Sequence, residues 1–171
     1  MPIYDVARMK LSPTEQRILA DVDTDGFHIE KVTAEKKGSP AWAYSIGIHK
    51  TLQQPDVILF GLRADTMAQL IDNTVERMRE GVVYADGLED DELLQGYTCV
   101  FKTVREIWYD VTVKHARWFY GGSAFPLLQL YWPDRNGKYP WDPKCQPEVR
   151  ALQPRLHVAD IEASGAAWLL P

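Results

Sequence analysis

Two segments of the 171-residue chain combine side chains that could do chemistry. In the first segment, His28, Tyr44, Ser45 and His49 fall on two neighbouring predicted strands. A serine beside a histidine can act as a nucleophile with its base, but this chemistry also needs an oxyanion hole, and Ser45 lies outside any Gly-x-Ser-x-Gly turn. The sequence therefore identifies no catalytic residue, and we expect these four side chains to bind a ligand or a partner.

The second segment is the loop 132–143, in which two tryptophans, three prolines and an Asn-Gly turn predict one rigid shape. In a functional interpretation, one of its aspartates orients the arginine to recognise a carboxylate or phosphate, and the indoles form an apolar wall. In the alternative interpretation, the aspartates cap turns and the indoles close the core. The candidate binding residues of this loop are Trp132, Asp134, Arg135, Trp141 and Asp142.

The histidines and cysteines indicate neither a metal site nor a cofactor. None of the four histidines and two cysteines has His-x-x-His, Cys-x-x-Cys or facial-triad spacing. The sequence also contains no glycine-rich phosphate loop of the two common types. We therefore expect no metal and no cofactor, and we expect Cys99 and Cys145 to be free thiols because disulfides are rare in the cytosol.

Charge and hydropathy argue against two classes of partner. The net charge is −5 and the longest basic cluster is Lys36-Lys37, so binding to nucleic acid is not expected. No apolar run approaches the roughly 18 residues of a membrane span, and residues 1–20 carry charges every few positions. We expect a cytoplasmic protein whose partner is another protein or a small molecule. The sequence does not decide whether the chain forms a homo-oligomer.

The elements that position these residues begin with a helix. Ser12 is suited to the N-cap, Pro13 to the first helical position and Glu15 to the return bond of a capping box. Apolar residues then recur on one face, and Gly26 follows three spaced aspartates as a candidate chain reversal.

The first segment is predicted to be a hairpin, with strands at 27–33 and 41–49 joined by a turn at 36–40. Because side chains alternate along a strand, the second strand has one bulky face and one face of small residues. The small face could form a shallow ligand site, or it could simply receive a packed helix.

The remaining pattern completes the core. The continuous apolar run 57–62 predicts a central strand covered on both faces, and apolar residues at three- and four-residue steps predict a helix at 65–80 that Gly81 ends. Further predicted elements are strands at 82–85, 98–105 and 127–132, a helix at 107–120 and a solvated acidic segment at 89–92. Together they predict a single α+β domain with a mixed or mostly antiparallel sheet and helices packed on it.

The same segments resemble a known family. The blocks 26–28, 40–48, 55–62, 128–130, 132–135 and 140–143 are similar, in order, to the bacterial domain of unknown function 4262 family (DUF4262). The resemblance covers 22–156, and it leaves an N-terminal helix and lead-in at 1–21 and a C-terminal extension at 157–171. It implies a small bacterial cytosolic domain and carries no established activity.

We therefore expect a binding or interaction module, not an enzyme, that uses the 132–143 loop together with the 41–49 hairpin. The loop is predicted to fold over the start of the 41–49 strand and to place Arg135 near Tyr44 and Ser45. One alternative is a small-molecule enzyme or cofactor-binding domain that uses the same pocket, and another is a neutralising, immunity-type partner of a toxin. Converging polar groups in an enclosed pocket would favour the enzyme, and an exposed aromatic ridge would favour partner binding.

Overall fold

The computed structural model describes residues 10–171, so residues 1–9 of the predicted N-terminal segment lie outside it. The first helix, α1, spans Pro13–Asp25. The predicted capping box is confirmed, because Ser12 Oγ accepts from the Glu15 backbone N–H at 3.1 Å and Glu15 Oε1 accepts from the Ser12 N–H at 3.4 Å. Gly26 ends α1 in the left-handed conformation, so the aspartates predicted to lead into the chain reversal belong to the helix itself.

A six-stranded mixed sheet forms the centre of the part of the chain that the structure describes. Its strands are β1 (His28–Val32), β2 (Trp42–Ile46), β3 (Asp56–Phe60), β4 (Glu89–Leu94), β5 (Tyr97–Thr103) and β6 (Leu127–Tyr131). They lie in the order β1-β2-β3-β6-β5-β4, with β3 and β6 parallel and every other pair antiparallel. The predicted α+β class with helices on a mixed sheet is confirmed.

The predicted hairpin is confirmed, but its second strand is shorter than expected. β1 and β2 pair from His28↔Ile46 to Val32↔Trp42, and helix α2 (Ile48–Leu52) then begins, so His49 lies on a helix and not on a strand. The strand ends because Gly47 turns the chain with φ at 105°, in the left-handed region. A Cβ there would lie 2.8 Å from Val22 Cγ2 of α1, so only glycine fits this close approach.

Helix α3 (Ala64–Arg79) packs on one face of the sheet, as its apolar periodicity predicts. Leu70 is 2% exposed and lies in a core with Leu59 of β3 and Ala43, which belongs to the small-residue face of β2. The helix-packing interpretation of that small face is therefore the one that the structure confirms. All five residues of β3 are buried, as expected for a central strand covered on both faces.

Two predictions for residues 82–92 are wrong. Residues 82–85 form no strand, and the acidic segment 89–92 is not a loop but lies in the edge strand β4, where Asp90 is buried although Glu89, Asp91 and Glu92 are exposed as predicted. Asp90 is 3% exposed, and its Oδ2 accepts from Arg77 Nε at 2.7 Å and from Tyr84 Oη at 2.5 Å. An arginine from α3 thus permits a carboxylate to be buried, and local sequence gives no sign of this distant partner.

The predicted helix 107–120 is interrupted. A 3₁₀ turn at Glu106–Trp108 leads into α4 (Tyr109–Thr112), and α5 (Lys114–Tyr120) follows after Val113, whose φ of −128° and ψ of 50° break the helix. Trp108 Nε1 donates to Val158 O, and Thr112 O accepts from Trp42 Nε1, so contacts outside the segment fix its shape.

The C-terminal part packs on both faces of the sheet: Val149 and Leu152 of its first helix join the α3 core, and residues from Leu156 onward join the core of α1 and α5. Its helices are α6 (Pro147–Leu152) and α7 (Ile161–Ser164), followed by a 3₁₀ turn at Ala167–Leu169. Leu156 and Ala166 are fully buried in the core that contains Trp42 and Phe60, so the residues predicted as an extension pack within the single domain. Cys99 and Cys145 are both buried and free, as expected. Within residues 10–171, no helix has both the length and the apolar character needed to cross a membrane.

Candidate functional site

The predicted site residues lie in three separate places. Tyr44 borders a cleft that His28 adjoins through Glu30, Ser45 and His49 contact a buried carboxylate, and the residues of the 132–143 loop form a third group. Tyr44 and Ser45 are separated because adjacent residues of a strand point to opposite faces of the sheet.

A cleft of about 650 Å³ opens between the β1–β2 hairpin, the α4–α5 segment and the C-terminal residues. We call it the Trp42 cleft. Its apolar wall includes Trp42, Val111 and Trp168, and its polar end includes Glu30 and His115. Ligand sites in proteins typically enclose about 300–1,000 Å³ and combine apolar walls with a few polar groups, and the Trp42 cleft matches both features.

Asp21, His28, Glu30 and His115 form a chain of alternating carboxylates and imidazoles that ends at the cleft. His28 Nδ1 lies 2.6 Å from Asp21 Oδ2, and its Nε2 lies 3.1 Å from Glu30 Oε2. The same Glu30 oxygen lies 3.4 Å from His115 Nδ1. His28 is 7% exposed whereas His115 is 41% exposed, so the chain joins a buried imidazole to one that solvent and a ligand can reach.

The carboxylates on both sides of His28 control its protonation. Burial by itself would lower the pKa of His28, but hydrogen bonds to Glu30 and Asp21 outweigh burial and raise this pKa above its ordinary value. Burial would likewise raise the pKa of Glu30, and the two histidines instead hold it below its usual range. The protonated imidazole and the two carboxylates therefore stabilise one another.

We expect the contribution of His28 to stability to decrease as the pH rises. Since the pKa of His28 is higher in the folded than in the unfolded protein, the contribution is fully present below the unfolded value of about 6.5 and is lost as the pH rises through the folded pKa. The loss in unfolding free energy caused by His28→Gln should thus be larger at about pH 5.5 than at about pH 8.5. Urea unfolding at both pH values measures it, and equal losses would contradict the assigned shift.

Hydrogen bonds fix the two aromatic residues of β2 at the cleft. Trp42 Nε1 donates to Thr112 O at 3.0 Å, and the Tyr44 hydroxyl accepts from the His115 backbone N–H at 3.3 Å. Burial raises the pKa of Tyr44, so its hydroxyl stays neutral. The Trp42 ring meets Trp168 edge-on with centroids 6.1 Å apart, which makes the aromatic wall rigid before any ligand binds.

Ser45 and His49 meet at the buried carboxylate of Asp56. This carboxylate accepts from Ser45 Oγ at 2.7 Å, from Tyr120 Oη at 2.5 Å and from the backbone N–H groups of Ile48 and His49 at 3.1 and 3.3 Å. The two backbone groups belong to the first turn of α2, so Asp56 caps that helix from the neighbouring strand. This arrangement ties β2, β3, α2 and α5 together at one end of the sheet.

The contacts of Ser45 argue for a structural role. Its Oγ donates to Asp56 and accepts from the Val57 N–H at 2.9 Å, and neither partner is a histidine. Burial raises the pKa of Asp56 to about 6 although four hydrogen bonds favour its ionised form. His49 packs its ring beside Tyr120 with centroids 5.9 Å apart, and its buried Nδ1 lacks a hydrogen-bond partner within residues 10–171.

In the 132–143 loop, Asp134 organises the backbone. Its carboxylate accepts the N–H groups of Asn136 and Lys138, each at 2.9 Å, and that of Gln146 at 2.9 Å. Desolvation would raise the pKa of Asp134, but these backbone hydrogen bonds lower it. The indole of Trp132 donates to Phe60 O at 2.8 Å and closes the core above β3. Both residues therefore have the structural roles of the alternative interpretation.

Hydrogen bonds to the backbone also fix the second half of the loop. Asp142 Oδ1 accepts from the Lys144 N–H at 2.8 Å, and Arg150 donates to several loop carbonyls, including Asp142 O at 2.9 Å. Trp141 is 38% exposed; it stacks on Tyr139 with centroids 5.2 Å apart, and Lys102 Nζ lies 4.5 Å from its ring centroid. These contacts place the exposed indole over β5 and β6.

Arg135 is not brought together with Tyr44 and Ser45. With the Gln146 amide oxygen turned toward it, Arg135 donates from Nε and Nη2, both at 3.0 Å. Tyr44 lies on β2, which β3 separates from β6, the strand that leads into the loop. The loop does reach β3 beside the start of β2 through Trp132, but its polar residues extend toward β5 and α6. The polar residues of the loop therefore lie away from Tyr44 and Ser45 of the hairpin.

The residues between 10 and 171 contain no group of three or more His, Cys, Asp or Glu side chains that could hold a metal ion. Elsewhere, His157 packs against Trp141 and Tyr131, and burial with nearby Lys102 lowers the pKa of His157 to about 4. This histidine is therefore neutral near pH 7 and serves the packing of the loop.

Sequence reasoning missed five residues of these networks: Asp21, Glu30, Asp56, His115 and Tyr120. One signal was available, because His28 and Glu30 are two residues apart on a predicted strand and must share a face. His115 lies within the predicted helix 107–120, and no local pattern links it to Glu30, 85 positions earlier in the numbering. The spacing of residues along the sequence does not predict contacts between residues this far apart.

A comparison with protein families assigns the chain to a family of unknown function. A family model described as a domain of unknown function (DUF4262) matches residues 21–146, and the chain is a member of that family. This confirms the predicted membership; the match begins one residue before the predicted boundary at 22 and ends before the predicted boundary at 156. No curated protein and no solved structure matches the chain.

Proposed function

We propose that this protein is a binding domain and that the Trp42 cleft is its binding site. One observation carries the proposal: a ligand-sized space has an aromatic wall that includes Trp42 and a polar end at Glu30, which connects it to His28. An apolar group would pack against Trp42 and Trp168. A polar group would meet the Glu30 carboxylate and the exposed imidazole at the other end.

The hydrogen bonds of the 132–143 loop favour the cleft over the loop as the binding site. Asp134 and Asp142 accept backbone N–H groups, and Trp132 donates to a backbone carbonyl, so the fold already uses the polar atoms expected to recognise a ligand. Trp141 and Arg135 are exposed, but they face different neighbours.

A screen of aromatic and heteroaromatic fragments by ligand-observed NMR tests this proposal. We expect fragments to bind the wild type, and His115→Ala and Trp168→Ala to weaken binding by about tenfold, as loss of a central contact does. Trp141→Ala is the matched control, because it removes a more exposed indole outside the cleft and should leave binding unchanged.

Binding that survives both cleft variants but is lost in Trp141→Ala would contradict the proposal and assign the site to the loop. His115 is well exposed, so His115→Ala is expected to keep the fold even where Trp168→Ala destabilises it. Melting temperatures of all variants provide the check.

A second candidate, an enzyme that transfers protons in the same cleft, is favoured by the chain from Asp21 to His115. Its terminal imidazole is exposed and is backed by a carboxylate, the arrangement that general acid–base catalysis uses. In the same screen, conversion of a bound fragment by the wild type but not by His115→Gln would favour the enzyme over a binding domain.

We also infer a cytoplasmic location, and the family resemblance implies a bacterial source. Both cysteines are buried free thiols, which suits a reducing compartment. Localisation of the tagged full chain in cell fractions would test this inference.

A further inference from the structure

Strand β1 is an edge of the sheet whose outer side is open. It pairs only with β2, and its backbone makes no hydrogen bond to any other element among residues 10–171. Four of its five residues are partly or well exposed. Such an edge presents unpaired N–H and C=O groups on which another extended segment can add as a strand.

Two cavities flank this edge. Glu30 and Val32 border the Trp42 cleft on one face. A groove of about 710 Å³ lies beside the edge, between the C-terminal half of α1 and α3 on the opposite face, and Ile29 and Lys31 of β1 border it. A strand added to β1 would direct successive side chains alternately into the groove and toward the cleft, because its pleat follows that of β1.

The groove beside α3 is acidic, and we call it the acidic groove. Its lining has four carboxylates and two cations. The carboxylates belong to Asp21 and Asp25 of α1 and to Asp72 and Glu76 of α3, and the cations are Lys31 and Arg79. Arg79 is already paired with Glu76 at 2.9 Å. Burial and repulsion from Glu76 and Asp25 raise the pKa of Asp72, so a cation arriving in the groove would relieve unfavourable repulsion.

The opposite edge of the sheet is less suited to strand addition. Strand β4 carries four consecutive acidic residues, Glu89 to Glu92, and its register with β5 is irregular between Asp90 and Leu94. Charges and irregularities of this kind protect an edge against pairing. The molecule therefore has one protected edge and one edge that lies between two cavities.

We propose that the partner of this domain is an extended peptide segment that pairs with β1 as an additional strand. Its basic side chain lies in the acidic groove and the adjacent apolar side chain lies in the Trp42 cleft. This inference rests on the proposed function, since it makes the cleft one half of a peptide site. The recognised sequence is a short alternation of lysine or arginine with apolar residues, held by backbone hydrogen bonds and selected by the two cavities.

A seven-residue peptide with blocked ends, in which lysine alternates with leucine, is the probe. We expect the full chain to bind it, with NMR shift changes at the amides of β1, and to bind the peptide with glutamate in place of lysine at least about tenfold more weakly. Two further peptides carry N-methyl groups on alternate amides, in one register or the other. Only one of these should lose binding, because a strand offers every second N–H to its neighbour.

Protein variants separate the acidic groove from general charge attraction. Asp25→Asn with Asp72→Asn should weaken binding of the lysine peptide by about tenfold. Glu89→Gln with Asp91→Asn removes the same charge from exposed positions of β4 and should have little effect. All four positions are solvent-accessible, and melting temperatures verify the fold.

Three results would overturn the inference. The peptide could bind equally well with either set of N-methyl groups, which would mean contact without strand addition. The β4 variants could weaken binding as much as the groove variants. The wild type could also fail to bind the peptide while its cleft binds fragments, which refutes the peptide and leaves the proposed function standing. A concentration-dependent dimer with β1 amides protected would instead identify a second copy as the occupant.

Discussion

Replacement of Leu70 with alanine is expected to lower the free energy of unfolding by about 2 to 5 kcal/mol. Leu70 is 2% exposed and lies in one buried cluster with Ala43 of β2, Leu59 of β3 and Leu128 of β6. The substitution removes buried apolar contacts and leaves a cavity in close-packed surroundings, and both effects destabilise the fold. Chemical denaturation followed by far-UV circular dichroism measures the change.

Gln69→Ala is the control for this experiment. Gln69 precedes Leu70 on the same helix but faces solvent, so its loss should change the unfolding free energy by less than about 0.5 kcal/mol. Similar effects of the two substitutions would mean that α3 is not held against the sheet by its apolar face.

The second large effect is expected at Asp56. Asp56→Ala removes the acceptor of two hydroxyls and two backbone N–H groups in a fully buried position. Since each buried donor left without a partner costs about 1 to 3 kcal/mol, we expect a loss of roughly 3 kcal/mol or more. Tyr120→Phe deletes one of these hydrogen bonds together with the one that Tyr120 Oη accepts from the Gly47 N–H at 3.0 Å, and it should cost about 1 to 2 kcal/mol.

The loss at Asp56 should also depend on pH. The pKa of Asp56 is raised to about 6 in the folded protein, so the carboxyl binds its proton more tightly when folded than when unfolded. Its titration therefore stabilises the fold below the unfolded value of about 3.9, and this contribution is lost as the pH rises through about 6. The cost of Asp56→Ala should be larger at about pH 4 than at about pH 7, and the reverse order would contradict the raised pKa.

Local signals in the sequence were sufficient for most of the elements. The capping box of α1, the apolar periodicity of α3 and the turn residues between β1 and β2 act within a few positions, and each element forms as predicted. Local signals failed where a distant partner decides the outcome. Asp90 appeared to belong to a solvated acidic run, and Arg77 of α3 buries it within a strand.

The same distinction holds for the sites. The sequence by itself determined the residue types available in the hairpin and the rigidity of the 132–143 loop, because alternation and proline are local properties. Only the tertiary structure decided which side chains meet. The topology places β3 beside β6 and packs α5 against β2, and so brings His115 to Glu30 and Tyr120 to Asp56. Contacts between residues far apart in sequence depend on how whole helices and strands pack. The spacing of residues along the chain does not predict that packing.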